Sequence, residues 1–206
     1  FQASSSEMFG NSSNNFFNEN SKMNPVSPYA HSKLLSHNLI KFYRDFYDCN
    51  FSSGILFNHE SCLRGEKFVI KKVINYLVNK KFYKHDKKLN LGNINISRDW
   101  GYAPDYVEAM WLINNHDSPE DFVVSSSKSI LLKEFVEKSF QYFKIPFRDN
   151  VIIDEYLVRN NDIAANCGDN SKIKEKLKWN YSKNHTELIE SLIEDEIEYV
   201  NWLKNN

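Results

Sequence analysis

One long helix and the strand that follows it constrain this chain most. Ser27-Pro28 opens a segment in which Leu35, Leu39, Phe42, Tyr43 and Phe46 recur at helical spacing, as far as about Asp48. Ser27 can accept a hydrogen bond from a first-turn N–H, and the fixed φ of Pro28 suits the first helical position. Residues 51–57 then read as a short, mostly apolar strand, and residues 1–4 as the end of a buried strand before the helix. Strand, helix and strand in this order point to an α/β sheet with helical crossovers.

Residues 5–10 turn away from the first strand. Residues 11–24 are rich in Asn and Ser, without apolar periodicity, and read as a loop. Residues 58–66 form a polar loop at the C-terminal end of a strand, where open α/β sheets bind ligands. A helix over 68–81 is built on Val69, Val73, Ile74 and Leu77. A strand at 89–92 and a helix at 105–115 follow, the latter with Val107, Met110 and Trp111 on its apolar face. Further on come a strand at 122–125, helices at 130–143 and 171–177, and a strand at 151–154. The helix at 186–203 carries a stripe of Ile189, Leu192, Ile193, Ile197 and Val200. The later elements are shorter and mixed. This pattern predicts an α/β fold: the C-terminal part of a doubly wound parallel sheet, then a smaller mixed α/β lobe.

Charge is nearly balanced, with 26 basic and 27 acidic residues. That balance provides no field for nucleic acid, and no apolar run is long enough for a membrane span. Three widely spaced cysteines suggest neither a disulfide framework nor a zinc site, which makes a cytoplasmic setting the expectation.

The chemistry concentrates at Tyr29 and Lys33. Four residues apart on a helix, they share a face. An ammonium beside a phenol favours the phenolate, so such a pair can exchange a proton with a substrate hydroxyl. About twenty residues upstream, Ser5-Ser6-Glu7 adds a hydroxyl and a carboxyl.

Four blocks carry a resemblance. They are Gln2-Ala3-Ser4-Ser5-Ser6-Glu7-Met8-Phe9-Gly10; Ser27-Pro28-Tyr29-Ala30 with Lys33; Gly54-Ile55-Leu56-Phe57-Asn58-His59-Glu60-Ser61 with Arg64-Gly65 and Phe68-Val69; and Leu91-Gly92-Asn93, Arg98-Asp99-Trp100-Gly101 and Asp105 to Trp111. In order and spacing they resemble the extended short-chain dehydrogenase/reductase superfamily and, within it, the GDP-mannose 4,6-dehydratase family. The resemblance implies a Rossmann-type sheet, NADP as cofactor and GDP-mannose as substrate. It also implies a homo-oligomer, dimer or tetramer, formed partly through the tyrosine helix. Tyr29 would be the base at the sugar's O4. Lys33 would tune it and bind the nicotinamide ribose. Ser5 would bond the O4 oxygen, and Glu7 would act at C5 and C6. His59 and Arg64 correspond to cofactor contacts. Asn58, Lys72, Arg98, Arg159 and Asp162 correspond to nucleotide-sugar contacts, with Arg98 and Arg159 clamping the diphosphate. Ser5 stands where the family usually has Thr. Asp162 stands one methylene short of the family's Glu, and Cys62 and Leu63 replace a Pro and an Arg.

The chain opens on Phe1-Gln2-Ala3-Ser4 instead of a methionine, and its six glycines are scattered singly. A phosphate-binding Gly-rich loop belongs at the first strand of such a sheet. The expectation is a chain lacking the N-terminal half of its Rossmann domain. Residues 1–60 would be the remainder of that domain. Residues 61–206 would be mainly the nucleotide-sugar lobe, interleaved with returning sheet elements. Other readings are a related nucleotide-sugar epimerase or decarboxylase, or a truncated, inactive product.

Overall fold

The structure, a computed structural model, describes residues 1–12, 16–83, 86–158 and 162–205. In chain order the elements are β1 (Gln2–Ser5), a 3-10 turn (Ser6–Phe9), β2 (Phe16–Phe17), α1 (Pro28–Tyr47), β3 (Ser53–Leu56), β4 (Asn58–Glu60), α2 (Val69–Tyr83), β5 (Leu89–Leu91) and β6 (Ser97–Tyr102). Then come α3 (Ala103–Asn114), β7 (Asp121–Val124), β8 (Ser129–Leu131), α4 (Leu132–Tyr142), α5 (Phe147–Asn150), β9 (Val151–Ile153), β10 (Cys167–Gly168), α6 (Ser171–Leu177) and α7 (His185–Asn205). The chain divides into two compact units. One comprises Phe1–His59, Ser97–Ser129 and Ile163–Ser182; the other comprises Glu60–Ile96, Ile130–Asp162 and Lys183–Asn206.

The first unit is built on a parallel sheet in the order β1-β3-β7. Ala3 pairs with Gly54, which pairs in turn with Phe122. Each parallel step needs a crossover, and α1 and α3 supply them. β3 is buried throughout and β7 from Phe122 on, and Ile55, Leu56, Phe122, Val123 and Val124 join Met8, Phe9, Phe17, Tyr106, Ile113 and Trp179 in one apolar core. Trp179 closes the core with its indole N–H donating to Asp105 O at 3.1 Å. β2 pairs with β10 in parallel, Phe16 against Cys167. Phe17 thereby stacks on Phe9 at 4.7 Å.

α1 is capped as its sequence requires. Ser27 Oγ accepts from Ala30 N at 3.1 Å, and Pro28 occupies the first turn. Its orientation is unusual. Its fully buried residues are Ala30 and His37. The apolar stripe of Leu35, Leu39, Phe42 and Phe46 is 45–73% exposed. α3 departs from expectation in a similar way. Val107 and Trp111 face outward, and Tyr106, Ala109 and Ile113 are buried instead. Both faces of α3 carry apolar residues, so periodicity alone does not choose between them.

In the second unit, β5 and β9 pair in parallel, Leu89 with Val151. Ile70, Val73, Ile74 and Leu77 of α2, Phe135, Val136 and Phe140 of α4, and Leu188, Ile189, Leu192 and Ile193 of α7 are all buried. Ile197 lies at the edge of its stripe, and Glu196 is buried beside it. Glu196 is ion-paired to Lys71 and accepts from Asn75 Nδ2 at 2.9 Å. A buried ion pair of this kind fixes one arrangement of α2 on α7 more than it adds stability.

Candidate active site

In the first unit, β1 ends at Ser5 and the chain turns at once into the 3-10 segment. Ser5 Oγ accepts from Glu7 N at 3.2 Å and caps that turn. The cap uses a lone pair of the hydroxyl and leaves its O–H to donate. Ser5 is buried and Glu7 half-buried. Gly10 ends the turn at φ 63°, ψ −150°, a region reserved for glycine. A Cβ there would lie 1.8 Å from Asn24 O.

Tyr29 and Lys33 sit in the first turns of α1, where Ser27 and Pro28 start the helix. Lys33 Nζ lies 5.7 Å from the Tyr29 ring centroid and donates to Ala3 O at 2.9 Å. Ala3 is two residues before Ser5 on β1, so this bond ties the Tyr29 helix to the strand that carries Ser5. The Tyr29 ring is half exposed.

A second latch lies one helical turn further on. His37 Nδ1 bonds Ser4 Oγ at 2.9 Å, and its Nε2 lies 3.9 Å from Asp121 Oδ2. Asp121 in turn takes a two-pronged grip from Arg44, at 3.0 and 2.9 Å. Burial holds His37 below the usual imidazole range, against the opposing pull of Asp121. Lys33, His37 and Arg44 thus form a polar stripe fastening α1 to β1 and β7. Sequence reasoning assigned nothing to His37, Arg44 or Asp121. The only sequence signal was polar residues at helical spacing from Lys33.

Asn58 and His59 begin β4, directly beyond β3. His59 Nδ1 contacts Phe57 O at 2.8 Å; a carbonyl only accepts, so Nδ1 is the donor. The imidazole stacks on Tyr106 at 5.1 Å. Arg98, on β6, is buried and donates to Ser97 O at 2.9 Å. Next to it, Asp99 is fully buried and accepts from Ser126 N at 2.8 Å, Ser126 Oγ at 2.6 Å and Gly168 N at 3.2 Å. Burial pushes this carboxyl up, and these hydrogen bonds oppose the rise. Asp99 thereby joins β6, β10 and the turn after β7, an organising role its motif alone did not reveal. Cys167 Sγ lies 3.6 Å from Asp99. Burial, then the Asp99 charge, push its thiol up to about 12, so it is an inert thiol.

The second unit holds the other sequence-derived residues. Arg64 stacks on Phe68, its guanidinium carbon 3.7 Å from the ring centroid. Lys72, on α2, donates to Asn90 O at 2.6 Å. It lines a cleft of about 330 Å³ whose wall mixes Lys87 and Lys88 with Glu66, the amides of Asn75, Asn79 and Asn90, and the apolar Tyr76 and Leu89. Asp162 is half-buried, and Arg159 lies outside the described residues. Ser5, Glu7, Tyr29, Lys33, Asn58, His59 and Arg98 therefore belong to the first unit, and Arg64, Lys72 and Asp162 to the second.

This fold is shared with Rossmann-type dehydratases and epimerases that act on nucleotide sugars. RMD from Pseudomonas aeruginosa, solved with NADPH, superposes with a TM-score of 0.85 at 18% identity, over 96% of this chain and 66% of that one. dTDP-glucose 4,6-dehydratase from Bacillus anthracis, solved with NAD, gives 0.86 at 16% identity, over 98% and 63%. The sequence is more specific: the model of the GDP-mannose 4,6 dehydratase family matches residues 1–192, and the chain belongs to that family. GDP-mannose 4,6 dehydratase 1 of Arabidopsis thaliana is 42% identical over 96% of this chain and 54% of its own length. The Dictyostelium discoideum and Homo sapiens enzymes are 36% and 34% identical, over 97% and 96% of this chain and 61% and 58% of their own. The chain thus spans little more than half the length of these relatives.

Proposed function

We propose that this chain carries the catalytic part of a GDP-mannose 4,6-dehydratase, which converts GDP-mannose to GDP-4-keto-6-deoxymannose with loss of water. One observation carries the reading: in a member of that family, the Lys33–Ala3 bond holds Tyr29 and Lys33 against the strand that ends at Ser5, and Glu7 follows in the turn that Ser5 caps.

The cofactor is a nicotinamide dinucleotide, and NADP is our specific reading. The donor set suits it. Lys33 spends one N–H on Ala3 O and keeps others for ribose hydroxyls, and Tyr29 lies beside it. His59 offers an oriented imidazole and Arg64 a stacked guanidinium for phosphate. Bound there, the cofactor would supply reversible hydride exchange with carbons 4 and 6 of the sugar.

Tyr29 takes the proton of the O4 hydroxyl while the C4–H bond is broken, leaving a C4 ketone. Ser5 donates a hydrogen bond to that oxygen as charge develops on it. The ketone acidifies the C5 proton, and the Glu7 carboxylate removes it. The same carboxyl then protonates the C6 hydroxyl, which leaves as water, so one group serves as base and acid. C5 is reprotonated as C6 is reduced, and the proton that Tyr29 took from O4 closes the count. Asn58, Lys72, Arg98, Arg159 and Asp162 are assigned to the nucleotide-sugar, the arginines to its diphosphate.

We read the enzyme as a cytoplasmic homo-oligomer. No helix among the described residues is long and apolar enough to cross a membrane. The exposed Leu35, Leu39, Phe42 and Phe46 stripe of α1 gives a second copy an apolar face to cover. Incubating the full-length protein with GDP-mannose and NADP⁺ tests the reading: a 4-keto-6-deoxy product is expected. Epimerised or decarboxylated sugar instead would assign it to a sister activity.

A further inference from the structure

Glu60 closes β4, and Arg64 follows four residues later in the same unit. Glu60 is only 3% exposed, and its Oε2 lies 3.6 Å from Arg64 Nε. Both atoms are buried, and neither has a hydrogen-bond partner among the described residues. The flat face of Arg64 is occupied by Phe68. Phe68 therefore sets the plane of the guanidinium, and Glu60 faces its Nε side. The remaining edge, with both Nη groups, is left to meet a ligand.

Such a carboxylate is a poor stabilising device. It gives up its water, and it gains one ion pair held just beyond hydrogen-bonding distance. A neutral side chain of the same shape would cost the fold less. Unsatisfied buried groups of this kind call for a reason outside stability. Arg64 is three methylenes long and flexible; only a fixed guanidinium offers a ligand a two-pronged grip without losing that freedom on binding.

We propose that Glu60 is a positioning residue: with Phe68 it aims the Arg64 guanidinium so that its outer edge grips an anionic group of the nicotinamide dinucleotide. This rests on the reading of Arg64 as a cofactor contact.

The test is titration of the full-length protein and its E60Q, R64M and E60Q/R64M variants with NADP⁺, alongside thermal unfolding at pH 8. We expect E60Q to weaken NADP⁺ binding on the order of fivefold with an unfolding midpoint equal to or above that of the parent. R64M should weaken it at least as much, and the double variant no more than R64M alone. A purely structural Glu60 gives the opposite pattern, a lowered midpoint and additive losses, and that result overturns the proposal. So does E60Q affinity within about twofold of the parent while R64M binds weakly. If R64M itself binds NADP⁺ normally, the assignment of Arg64 to the cofactor falls, and Glu60 falls with it.

Discussion

Lys33 Nζ donates to the main-chain oxygen of Ala3 at 2.9 Å, across a helix–strand contact between residues thirty apart in sequence. The same ammonium stands beside Tyr29. One side chain therefore both stands against the phenol proposed as the base and sets its helix on the strand that ends at Ser5. K33M should lose both. We expect product formation to fall by roughly 100-fold or more, the scale of an impaired general base. Stability should fall by about 1.5–3 kcal/mol, the worth of a hydrogen bond to a charged group. K33R should not rescue, because a guanidinium fork does not reproduce a compact ammonium. Turnover and denaturant unfolding measured on the same preparations check both effects.

His37 makes the second latch, and its pH response is testable. Burial lowers its folded-state pKa below the ordinary value of 6.5. The native state therefore prefers the neutral ring. The stability this contributes is present above pH 6.5 and is lost as pH falls below it toward the folded value. Asp121, Arg44 and Lys41 are the charged groups acting on the ring, the first opposing the shift. At pH 7.5, H37F should be less stable by about 1–3 kcal/mol, because the Ser4 hydroxyl loses its partner. The gap between parent and variant should narrow as pH falls toward 5. A gap constant with pH would mean that His37 packs without titrating.

These two latches mark where sequence reading reaches and where it stops. Tyr29, Lys33, Ser5 and Glu7 are legible because they fall in local motifs, and the start of α1 is legible because Ser27 and Pro28 act within one turn. The long helices and the strands β1, β3, β5, β7 and β9 are legible because their apolar residues recur locally. β2 and β10 are two residues each and exist only because Phe16 meets Cys167 across 151 positions of chain. β4 and β6 sit in polar stretches, where strand periodicity gives no signal. The buried face of α3 escaped because Val107 and Trp111 are as apolar as Tyr106 and Ala109, and only packing decides between them. His37 and Asp99 escaped because a buried polar residue is defined by its partners, and these come from distant strands and turns.

Gly10 shapes the loop after Glu7. Its ψ is extended while its φ is positive, and the space a Cβ would need is filled by the carbonyl of Asn24. That approach is held by Asn24 N donating to Met8 O at 2.9 Å. G10A must move one strand of this contact and accept a strained backbone. The expected cost is about 3 kcal/mol or more, measured by urea unfolding. Activity should fall further than the folded fraction does, because the shift reaches Glu7 three residues away.

Glu60 gives a stability profile of opposite slope to His37. Burial pushes its carboxyl from 4.5 up to about 7, with Arg64 pulling the other way. The folded state thus holds this proton more tightly than the unfolded chain. The associated stability is fully present below pH 4.5 and is lost as pH rises through about 7. At pH 8 the loss is at most about 3 kcal/mol. Glu60→Gln lacks this titration, so its advantage over the parent should be largest at pH 8 and shrink toward pH 5. Parallel stability curves for the two proteins would show that the carboxylate is better solvated than its burial indicates.

The exposed face of α1 makes the last prediction. Leu35, Leu39 and Phe46 are 72%, 52% and 73% exposed, and Phe42 and Phe46 stack on one another at 4.9 Å. Helices usually turn such a stripe toward their own core. Here the core side is taken by Lys33, His37 and Arg44, which are satisfied by β1 and β7, so rotating the helix inward would break the latches that hold Tyr29. The stripe has no cover among the described residues. If a second copy supplies it, L39E/F46E should shift the full-length protein to a smaller species in sedimentation equilibrium. Its circular dichroism should be unchanged, because neither side chain contributes to the core. An unchanged mass with intact folding would exclude α1 as the subunit contact.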